Sequence, residues 1–366
     1  MSPPLRIGID ARELLGQTTG VGRYLGELLR RWTRRADAAA RRLVLYSPEP
    51  LRIILPEGAA DIRIVPGGRG TWWEQTALGR AVRHDRPDVF FAPAYTAPLA
   101  LRMPLAVTIH DISFIAHPEW FRPRERWRRR LLTSRAARTA SVVLTDSEFS
   151  RREIHERIGI AAERLRVIPP GLEARTAGTG APTTDARVPL VLFVGSLFNR
   201  RRLPDLIEAF AAATADRPEA RLAIVGADRT WPRQDLRAAA AAARVDSRTD
   251  IVDYASEADL AKLYAQASVF AFLSEYEGFG LTPLEALAAG VPIVVLDTPV
   301  AREIYGPAAE YVAAGDIEGI AAALRRFLDS AAAGREQLAR APGVLARYSW
   351  DQAADETLRQ IEAIAR

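Results

Sequence analysis

The chain has 366 residues, of which 48% are hydrophobic and 26% charged, so it has enough apolar material for folded domains, two by default at this length. It contains no cysteine, which excludes disulfide scaffolds, thiolate metal sites and cysteine nucleophiles, and its four histidines are too scattered to predict a zinc site. No apolar run approaches the roughly 20 residues that span a bilayer, and residues 1–8 lack a signal-peptide core. We therefore expect a cytoplasmic protein.

The two halves of the chain differ in charge. Residues 1–180 hold 30 Arg and 19 acidic residues, a balance of +11, whereas residues 181–366 hold 20 basic and 26 acidic residues, a balance of −6. A basic first half indicates an anionic partner. The alternatives are an anionic substrate, a membrane surface and a nucleic acid.

Short runs rich in Val and Ile alternate with helical stretches in both halves, a pattern typical of buried parallel strands. In the first half we predict strands at Leu5–Ile9, Leu43–Tyr46, Ile62–Val65, Val89–Ala92, Leu105–Ile109, Val142–Thr145 and Leu165–Ile168. In the second half we predict strands at Leu190–Val194, Leu222–Val225, Ile251–Val252, Val269–Leu273 and Ile293–Leu296.

These elements predict an α/β protein with two doubly wound Rossmann-like domains. The first spans residues 1–171, the aperiodic residues 172–189 form a linker, and the second spans residues 190–349. Ligands of such sheets bind beyond the carboxyl ends of the strands, so we expect the domains to face each other across a cleft that holds the active site.

Two strand-to-helix loops have the features of phosphate sites. Gly20 and Gly22 precede an amphipathic helix, where glycine backbone lets a ligand approach the helix N-terminus. Their spacing is not that of a P-loop or a dinucleotide site, and a plain tight turn is the alternative. In the second half Gly195 is followed by Arg200 and Arg201 at a helix start, where phosphate oxygens would satisfy the guanidinium donors. A solvated arginine cluster is the alternative there.

Two glutamates flank a Gly-Phe-Gly turn after the predicted strand Val269–Leu273. Thr282 is the predicted N-cap of the next helix, and Glu285 falls where a capping box places its glutamate. Glu277 has no structural explanation of this kind, and its loop is expected to face the cleft.

In order and spacing, these motifs resemble those of retaining GT-B glycosyltransferases of family four, which transfer sugars from nucleotide-diphosphate donors. The resemblance spans nearly the whole chain and rests on Gly8–Arg12, Gly20–Tyr24, Trp73–Gln75, His110–Asp111, Thr145–Ser150, Gly195–Pro204 and Glu277–Glu285. It implies the GT-B fold, with a last helix at 350–366 that packs back on the first domain.

For the donor, the resemblance implies that Arg200 and Arg201 grip the diphosphate, although the family usually has lysine where this chain has Arg201. Glu285 would bind the ribose hydroxyls, and Glu277 would lie against the transferred sugar. The helix-start amides would complete the phosphate cradle, and they belong to Gly280, Leu281 and Thr282.

The resemblance also implies that His110 contacts the donor sugar or stabilises the reacting centre, and Asp111 acts beside it or orients it. No Asp-x-Asp sequence occurs, so we expect neither a metal nor a cofactor, the nucleotide sugar being a co-substrate. The implied reaction retains the anomeric configuration. From similarity to bacterial mannosyltransferases, we first expect the donor to be GDP-mannose. We expect the acceptor to be a hydroxyl of a glycan or of a lipid-linked acceptor.

Residues 122–130 hold six arginines beside Trp120, Phe121 and Trp127. This stretch predicts peripheral association with an anionic membrane at the inner face or contact with an acceptor phosphate, and a solvated helix face is the alternative. Residues expected to contact the acceptor are Trp72, Tyr95 and Arg124.

Three other readings compete with a transferase. The pI near 9.8 suits a nucleic-acid-binding protein, but that reading leaves Glu277, Glu285 and the acidic second half unexplained, so we expect no nucleic-acid partner. A nucleotide-sugar epimerase and a catalytically silent binder would share the fold.

Overall fold

The computed structural model describes residues 3–16, 20–172 and 189–366. Most of the predicted linker, residues 173–188, and residues 17–19 of the first glycine loop lie outside the described residues. The chain divides into two compact units. Unit 1 comprises Met1–Ala116, Arg124–Gly171 and Tyr348–Arg366, and unit 2 comprises His117–Pro123 and Leu172–Arg347.

Each unit is built around one parallel sheet. Within the described residues, unit 1 has seven strands in the order β3-β2-β1-β4-β5-β6-β7, and unit 2 has six in the order β10-β9-β8-β11-β12-β13. The strands are β1 (Leu5–Asp10), β2 (Arg41–Ser47), β3 (Ala60–Ile64), β4 (Val89–Ala92), β5 (Leu105–Thr108), β6 (Val142–Thr145), β7 (Leu165–Val167), β8 (Leu190–Val194), β9 (Arg221–Val225), β10 (Thr249–Val252), β11 (Val269–Phe272), β12 (Ile293–Leu296) and β13 (Glu310–Val312).

Helices connect most of the strands, as is usual for parallel pairing, whereas loops join β2 to β3 and β4 to β5. They are α1 (Gly20–Trp32), α2 (Thr71–Trp73), α3 (Gly79–Asp85), α4 (Ser113–Ala116), α5 (Pro123–Thr139), α6 (Glu148–Ile158), α7 (Leu203–Ala213), α8 (Leu236–Ala242), α9 (Glu257–Gln266), α10 (Leu281–Ala288), α11 (Pro299–Tyr305), α12 (Ile317–Asp329), α13 (Ala331–Leu338), α14 (Ala341–Leu345) and α15 (Trp350–Ala365). A π-helical turn at Glu74–Leu78 joins α2 to α3. Among the described helices, none has both the length and the apolar character needed to cross a bilayer.

Two strands differ from the sequence prediction. We predicted a buried strand at Ile62–Val65, but β3 lies at the sheet edge, and Ile62 and Ile64 are each 47% exposed. The short strand β13 was not predicted, because its Glu-Tyr-Val sequence has no apolar run.

The core of unit 1 explains where α15 packs. Leu25, Leu28 and Leu29 are spaced to lie on one face of α1, and they are buried together with residues of β1 and with Leu358 of α15. The indole N–H of Trp32 also donates to the Ala354 carbonyl at 2.8 Å. The C-terminal helix therefore belongs to unit 1.

The segment at 117–123 belongs to unit 2, whereas the sequence assigned all of residues 1–171 to the first domain. Its side chains explain the difference. The ring of His117 packs edge-on against Tyr276, 5.2 Å between centroids, and the Arg122 guanidinium lies 4.9 Å from the centre of the Trp231 ring.

Each sheet reverses its strand order at one point, between β1 and β4 in unit 1 and between β8 and β11 in unit 2. In doubly wound sheets, a crevice opens at the carboxyl ends of the strands where the order reverses. The loops that follow these strands are therefore the places to examine for a ligand site.

Candidate active site

Two buried arginines follow β8 in unit 2. Gly195, whose φ is 148°, ends the strand, and Arg200 and Arg201 lie in a 3₁₀ turn before α7. Each arginine is only 8% exposed. Their guanidinium carbons lie over aromatic rings, 4.4 Å from the centre of Phe198 for Arg200 and 4.2 Å from that of Phe272 for Arg201. The aromatic rings hold both cations at the carboxyl end of the sheet.

Glu277 pairs with both arginines. Its Oε1 lies 3.1 Å from Nη2 of Arg201 and 3.4 Å from Nε of Arg200, and it also accepts a hydrogen bond from the Ser274 hydroxyl. The Glu275 N–H donates to the Arg200 carbonyl at 2.9 Å, which joins the loops after β8 and β11. Contrary to the prediction, Glu277 has a structural explanation, because its carboxylate balances two buried positive charges.

Arg202 differs from its two neighbours. It forms ion pairs with Asp205 and with Glu275. It is also the N-cap of α7, with a backbone φ of 47°. Arg200 and Arg201 are therefore the arginines of this loop that share the Glu277 carboxylate.

The N-terminus of α10 lies in the same loop system, but its cap is not Thr282 as we predicted. Gly280 is the N-cap, and its φ of 89° is a left-handed conformation that glycine adopts without strain. The Tyr305 hydroxyl donates to the Gly280 carbonyl at 2.9 Å and fixes this turn. Leu281 and Thr282 thus fall in the first turn of α10, where backbone N–H groups have no acceptor within the helix.

Moving the cap also changes the position of Glu285. It is the fifth residue of α10, so it is not part of a capping box, and it is 7% exposed. A small cavity lies beside this helix start and is bordered by Ser274, Glu277 and Tyr305. Unit 2 therefore combines buried cations, a helix N-terminus and a carboxylate, an arrangement that attracts anions.

In unit 1, His110 follows β5 and both of its ring nitrogens have acceptors. Nδ1 lies 2.8 Å from Oδ2 of Asp146, and Nε2 lies 3.1 Å from the Pro93 carbonyl oxygen. Both partners are acceptors, and the imidazolium is the form of the ring that donates to both of them. Burial lowers the pKa of His110, but the carboxylate of Asp146 and these hydrogen bonds raise it by more, so the net shift is upward.

The Asp111 carboxylate, which the sequence predicts to act beside His110 or to orient it, raises the pKa of that ring and has two other partners. Its Oδ1 accepts from the Ser113 N–H at 2.8 Å, at the start of α4, and its Oδ2 lies 3.4 Å from the Tyr95 hydroxyl. The carboxylate that contacts the His110 ring at 2.8 Å is that of Asp146, a residue of the Thr145–Ser150 motif for which no role was predicted. Thr108 of β5 pairs with Leu144 of β6, an offset of 36 residues. The same offset separates His110 from Asp146, so the strand register could have predicted this contact.

Two tyrosines surround the His110 ring. Tyr95, after β4, has a φ of 62°, and its ring centroid lies 5.6 Å from that of His110 in an edge-on contact. Tyr24, in the α1 turn that begins with Gly20 and Gly22, makes a similar contact at 5.1 Å. Apart from its chain neighbours and the backbone of α1, none of the described residues has an atom within 4 Å of a Cβ atom built at Gly20.

The other two residues predicted to contact the acceptor lie elsewhere on the surface. Trp72 is 81% exposed, and Arg124 is exposed in the first turn of α5. Within the described parts of the chain, no hydrogen bond, ion pair or ring contact joins either of them to His110. The described residues also include no group of three His, Asp or Glu side chains that would hold a metal ion.

A buried charge cluster at the end of β1 was not predicted. Arg12 forms ion pairs with Asp10 and Glu74, which are 3% and 1% exposed. Burial raises the pKa of Asp10 to about 6, against the opposing effect of Arg12. These residues belong to the Gly8–Arg12 and Trp73–Gln75 motifs, for which the sequence predicted no function.

Comparisons with known proteins identify the family of this chain. Residues 18–175 match the family model described as Glycosyltransferase Family 4, and residues 181–341 match that described as Glycosyl transferases group 1. Among solved structures, that of WaaG, a glycosyltransferase involved in lipopolysaccharide biosynthesis, aligns with 98% of this chain and 99% of its own, with a TM-score of 0.75 and 17% identity. Anabaena Alr3699/HepE, solved in complex with UDP and glucose, covers 98% of this chain and 100% of its own, with a TM-score of 0.76 and 18% identity.

Two relatives are mannosyltransferases. The O-antigen chain mannosyltransferase B of Escherichia coli is 25% identical over 287 residues, 76% of this chain and 75% of its own length. The GDP-mannose:cellobiosyl-diphosphopolyprenol alpha-mannosyltransferase of Komagataeibacter xylinus is 33% identical over 210 residues, 56% of this chain and 52% of its own length. The fold and these matches define a GT-B enzyme. The chain belongs to the group 1 glycosyltransferases, and it is a transferase of sugars.

Proposed function

We propose that this glycosyltransferase moves mannose from GDP-mannose to a hydroxyl group of a glycan or lipid-linked acceptor, with retention of the anomeric configuration and without a metal. The names of the two mannosyltransferase relatives support the donor and the acceptor class. The observation that carries the proposal is the pairing of Arg200 and Arg201 with Glu277 beside the N-terminus of α10.

Each part of the unit 2 cluster has a role in this proposal. Arg200 and Arg201 bind the donor diphosphate together with the amides of Leu281 and Thr282, and they stabilise the charge that develops on it as it leaves. These two guanidinium groups supply the positive charge that a divalent cation gives other transferases. Glu285 binds the ribose hydroxyls, and Glu277 lies against the transferred sugar.

In the transfer step, the acceptor oxygen forms a bond to C1 of the sugar as the bond from C1 to the diphosphate oxygen breaks. The acceptor proton passes to that diphosphate oxygen, and attack on the same face retains the configuration. Both ring nitrogens of His110 already bond to Asp146 and to the Pro93 carbonyl, so we assign this ring an electrostatic role beside the reacting centre. We assign Tyr95 to contacting the acceptor.

We further propose that the exposed arginines of residues 122–130 bind an anionic membrane surface, where a lipid-linked acceptor would lie. The exposure of Arg128 and Arg130 and the 66% exposure of Trp127 support this role.

A thermal-shift panel tests the proposal. A ligand that binds only the folded state raises the melting temperature, so we would compare GDP, UDP, ADP and dTDP and their sugar conjugates, each with and without EDTA. We expect a shift with GDP and GDP-mannose that EDTA leaves unchanged. A shift with another nucleotide would replace the donor, loss of the shift in EDTA would contradict metal independence, and a shift with oligonucleotides alone would favour nucleic-acid binding.

Product analysis separates transfer from the two readings that share the fold. Incubation with the bound nucleotide sugar and a lipid-linked glycan should release nucleotide diphosphate and lengthen the glycan with an α linkage. An altered sugar still attached to the nucleotide would indicate an epimerase, and binding without turnover would indicate a silent binder.

A further inference from the structure

Glu74 and Gln75 belong to a motif that the function proposed above does not use. They lie in the π-helical turn Glu74–Leu78, and Glu74 is among the most buried charged residues, at 1% exposure. Single π turns occur frequently at functional sites, because they rotate side chains out of the regular helix pattern.

Both side chains bond to residues 93–99, which follow β4 and which we name the β4 turn. Glu74 Oε2 accepts from the Thr96 hydroxyl at 2.7 Å. The Gln75 amide donates to the Ala97 carbonyl at 3.0 Å and accepts from the Leu99 N–H at 3.0 Å. Gln75 also donates to Glu74 at 2.6 Å, so the pair binds the turn as one unit.

The β4 turn also contacts His110. The Pro93 carbonyl accepts from Nε2 of His110 at 3.1 Å, and the Tyr95 ring packs edge-on against the imidazole. Tyr95 has a left-handed backbone with a φ of 62°, a strained conformation for a bulky residue that the surroundings must enforce. The bond from Thr96 to Glu74 holds the chain at the next residue.

Glu74 is held in its turn by charge. Its carboxylate forms an ion pair with Arg12, which also lies 3.1 Å from Asp10 at the end of β1. A continuous series of contacts thus runs from β1 through Arg12, Glu74 and Thr96 to the residues that fix His110.

We propose that Glu74 and Gln75 are positioning residues which, through the β4 turn, fix the orientation of the His110 imidazolium for sugar transfer. This inference rests on the proposed function only where it gives His110 a part in transfer. The positioning itself is measurable without turnover.

The test compares Thr96→Val with Thr96→Ser, because valine matches threonine in shape but has no hydroxyl, whereas serine keeps the hydroxyl. The readout is the titration of the His110 ring by NMR, assigned among the four histidines with a His110→Asn variant. The other groups that face this ring are the Asp146 carboxylate, Asp111, Tyr95 and Tyr24.

In Thr96→Val the titration midpoint of His110 should fall, because a displaced Pro93 carbonyl no longer favours the charged ring. Thr96→Ser should restore the wild-type midpoint. Gln75→Leu, which removes the two other bonds to the turn, should shift the midpoint in the same direction. If the wild type transfers sugar, the kcat of Thr96→Val should be about tenfold lower than that of the wild type, and the KM for the donor should be unchanged.

Thr33→Val is the matched control, because Thr33 is a buried threonine of unit 1 whose hydroxyl donates to the Leu29 carbonyl at 2.8 Å, away from the β4 turn. Equal His110 midpoints in Thr33→Val, Thr96→Val and Gln75→Leu would overturn the inference. If the wild type transfers no sugar but Thr96→Val still shifts the midpoint, the proposed function fails and the positioning stands.

Discussion

The Glu277 carboxylate lies 3.1 Å from the guanidinium of Arg201, so two residues that the sequence assigns to different parts of one donor are paired with each other. Both side chains are largely buried, at 12% and 10% exposure. In the donor site that we propose, the diphosphate shares Arg201 with a carboxylate of its own sign, so we expect Glu277 to weaken anion binding.

Replacing Glu277 should separate binding from turnover. Glu277→Gln keeps the shape of the side chain but removes the charge that competes with the diphosphate. We expect the rate of sugar transfer to fall at least about 100-fold, whereas the affinity for free GDP rises. Steady-state kinetics and calorimetric titration with GDP measure the two effects. Glu275→Gln is the control, since Glu275 pairs with Arg202, and full activity in Glu277→Gln would contradict the assignment.

The arginine loop offers a matched pair of variants. Arg201→Ala should weaken GDP binding about 10- to 100-fold, because a charge-assisted bond to phosphate contributes on the order of 1.5–3 kcal/mol. Arg202→Ala should have little effect, since Arg202 is engaged by Asp205 and Glu275. Guanosine, which has no phosphate, should bind both variants as it binds the wild type. Unchanged GDP affinity in Arg201→Ala would move the role to Arg200.

Most of the fold could be predicted from the sequence, because β-branched runs separated by amphipathic stretches identify buried parallel strands without any tertiary information. The edge position of β3 and the presence of the three-residue β13 were not predicted, since edge position and pairing depend on neighbours far along the chain.

Prediction of the site was limited in the same way. The residue types at His110, Arg201 and Glu277 predicted a site that binds the donor, but the partners of each side chain are determined by tertiary contacts. The N-cap of α10 fell on Gly280 and not on Thr282 because Tyr305, 25 residues away, holds the Gly280 carbonyl. Asp146 was accessible in principle, since the register of β5 and β6 places it opposite His110.

The buried Asp10 should make stability depend on pH. Burial raises its pKa from the ordinary 3.8 to about 6, so the folded chain holds the proton more tightly than the unfolded chain. Protonation therefore stabilises the fold fully below pH 3.8, and that contribution is lost as the pH rises through 6. The shift corresponds to about 3 kcal/mol.

Urea unfolding of the wild type and Asp10→Asn between pH 3.5 and 7, roughly the span of the two pKa values, measures this effect. The wild type should lose stability relative to the variant as the pH rises, because asparagine does not titrate. Asp61→Asn, a change at an exposed ion pair, serves as the control and should show no such trend. Parallel profiles for the wild type and Asp10→Asn would show that Arg12 compensates the buried charge.

Gly280 should tolerate no side chain. A Cβ atom there would lie 2.2 Å from the Tyr305 hydroxyl, on a backbone with a φ of 89°. Gly280→Ala should lower the free energy of unfolding by about 1–3 kcal/mol and weaken GDP binding, since the first amides of α10 would shift. The double variant with Tyr305→Phe removes the colliding oxygen but keeps the strained φ, so it should recover part of the loss. Additive effects of the two substitutions in urea unfolding would contradict the collision.

The arginines of α5 should carry membrane association. Arg128→Glu/Arg130→Glu reverses two exposed charges, and each basic residue near an anionic surface contributes about 1 kcal/mol. We expect at least about a tenfold loss of binding to phosphatidylglycerol vesicles in sedimentation assays, and little binding of either protein to phosphatidylcholine vesicles. Arg34→Glu/Arg52→Glu, an equal charge change at exposed residues of unit 1, separates local contact from net charge. If both double variants lose binding equally, the effect belongs to the overall charge of the chain and α5 has no special role.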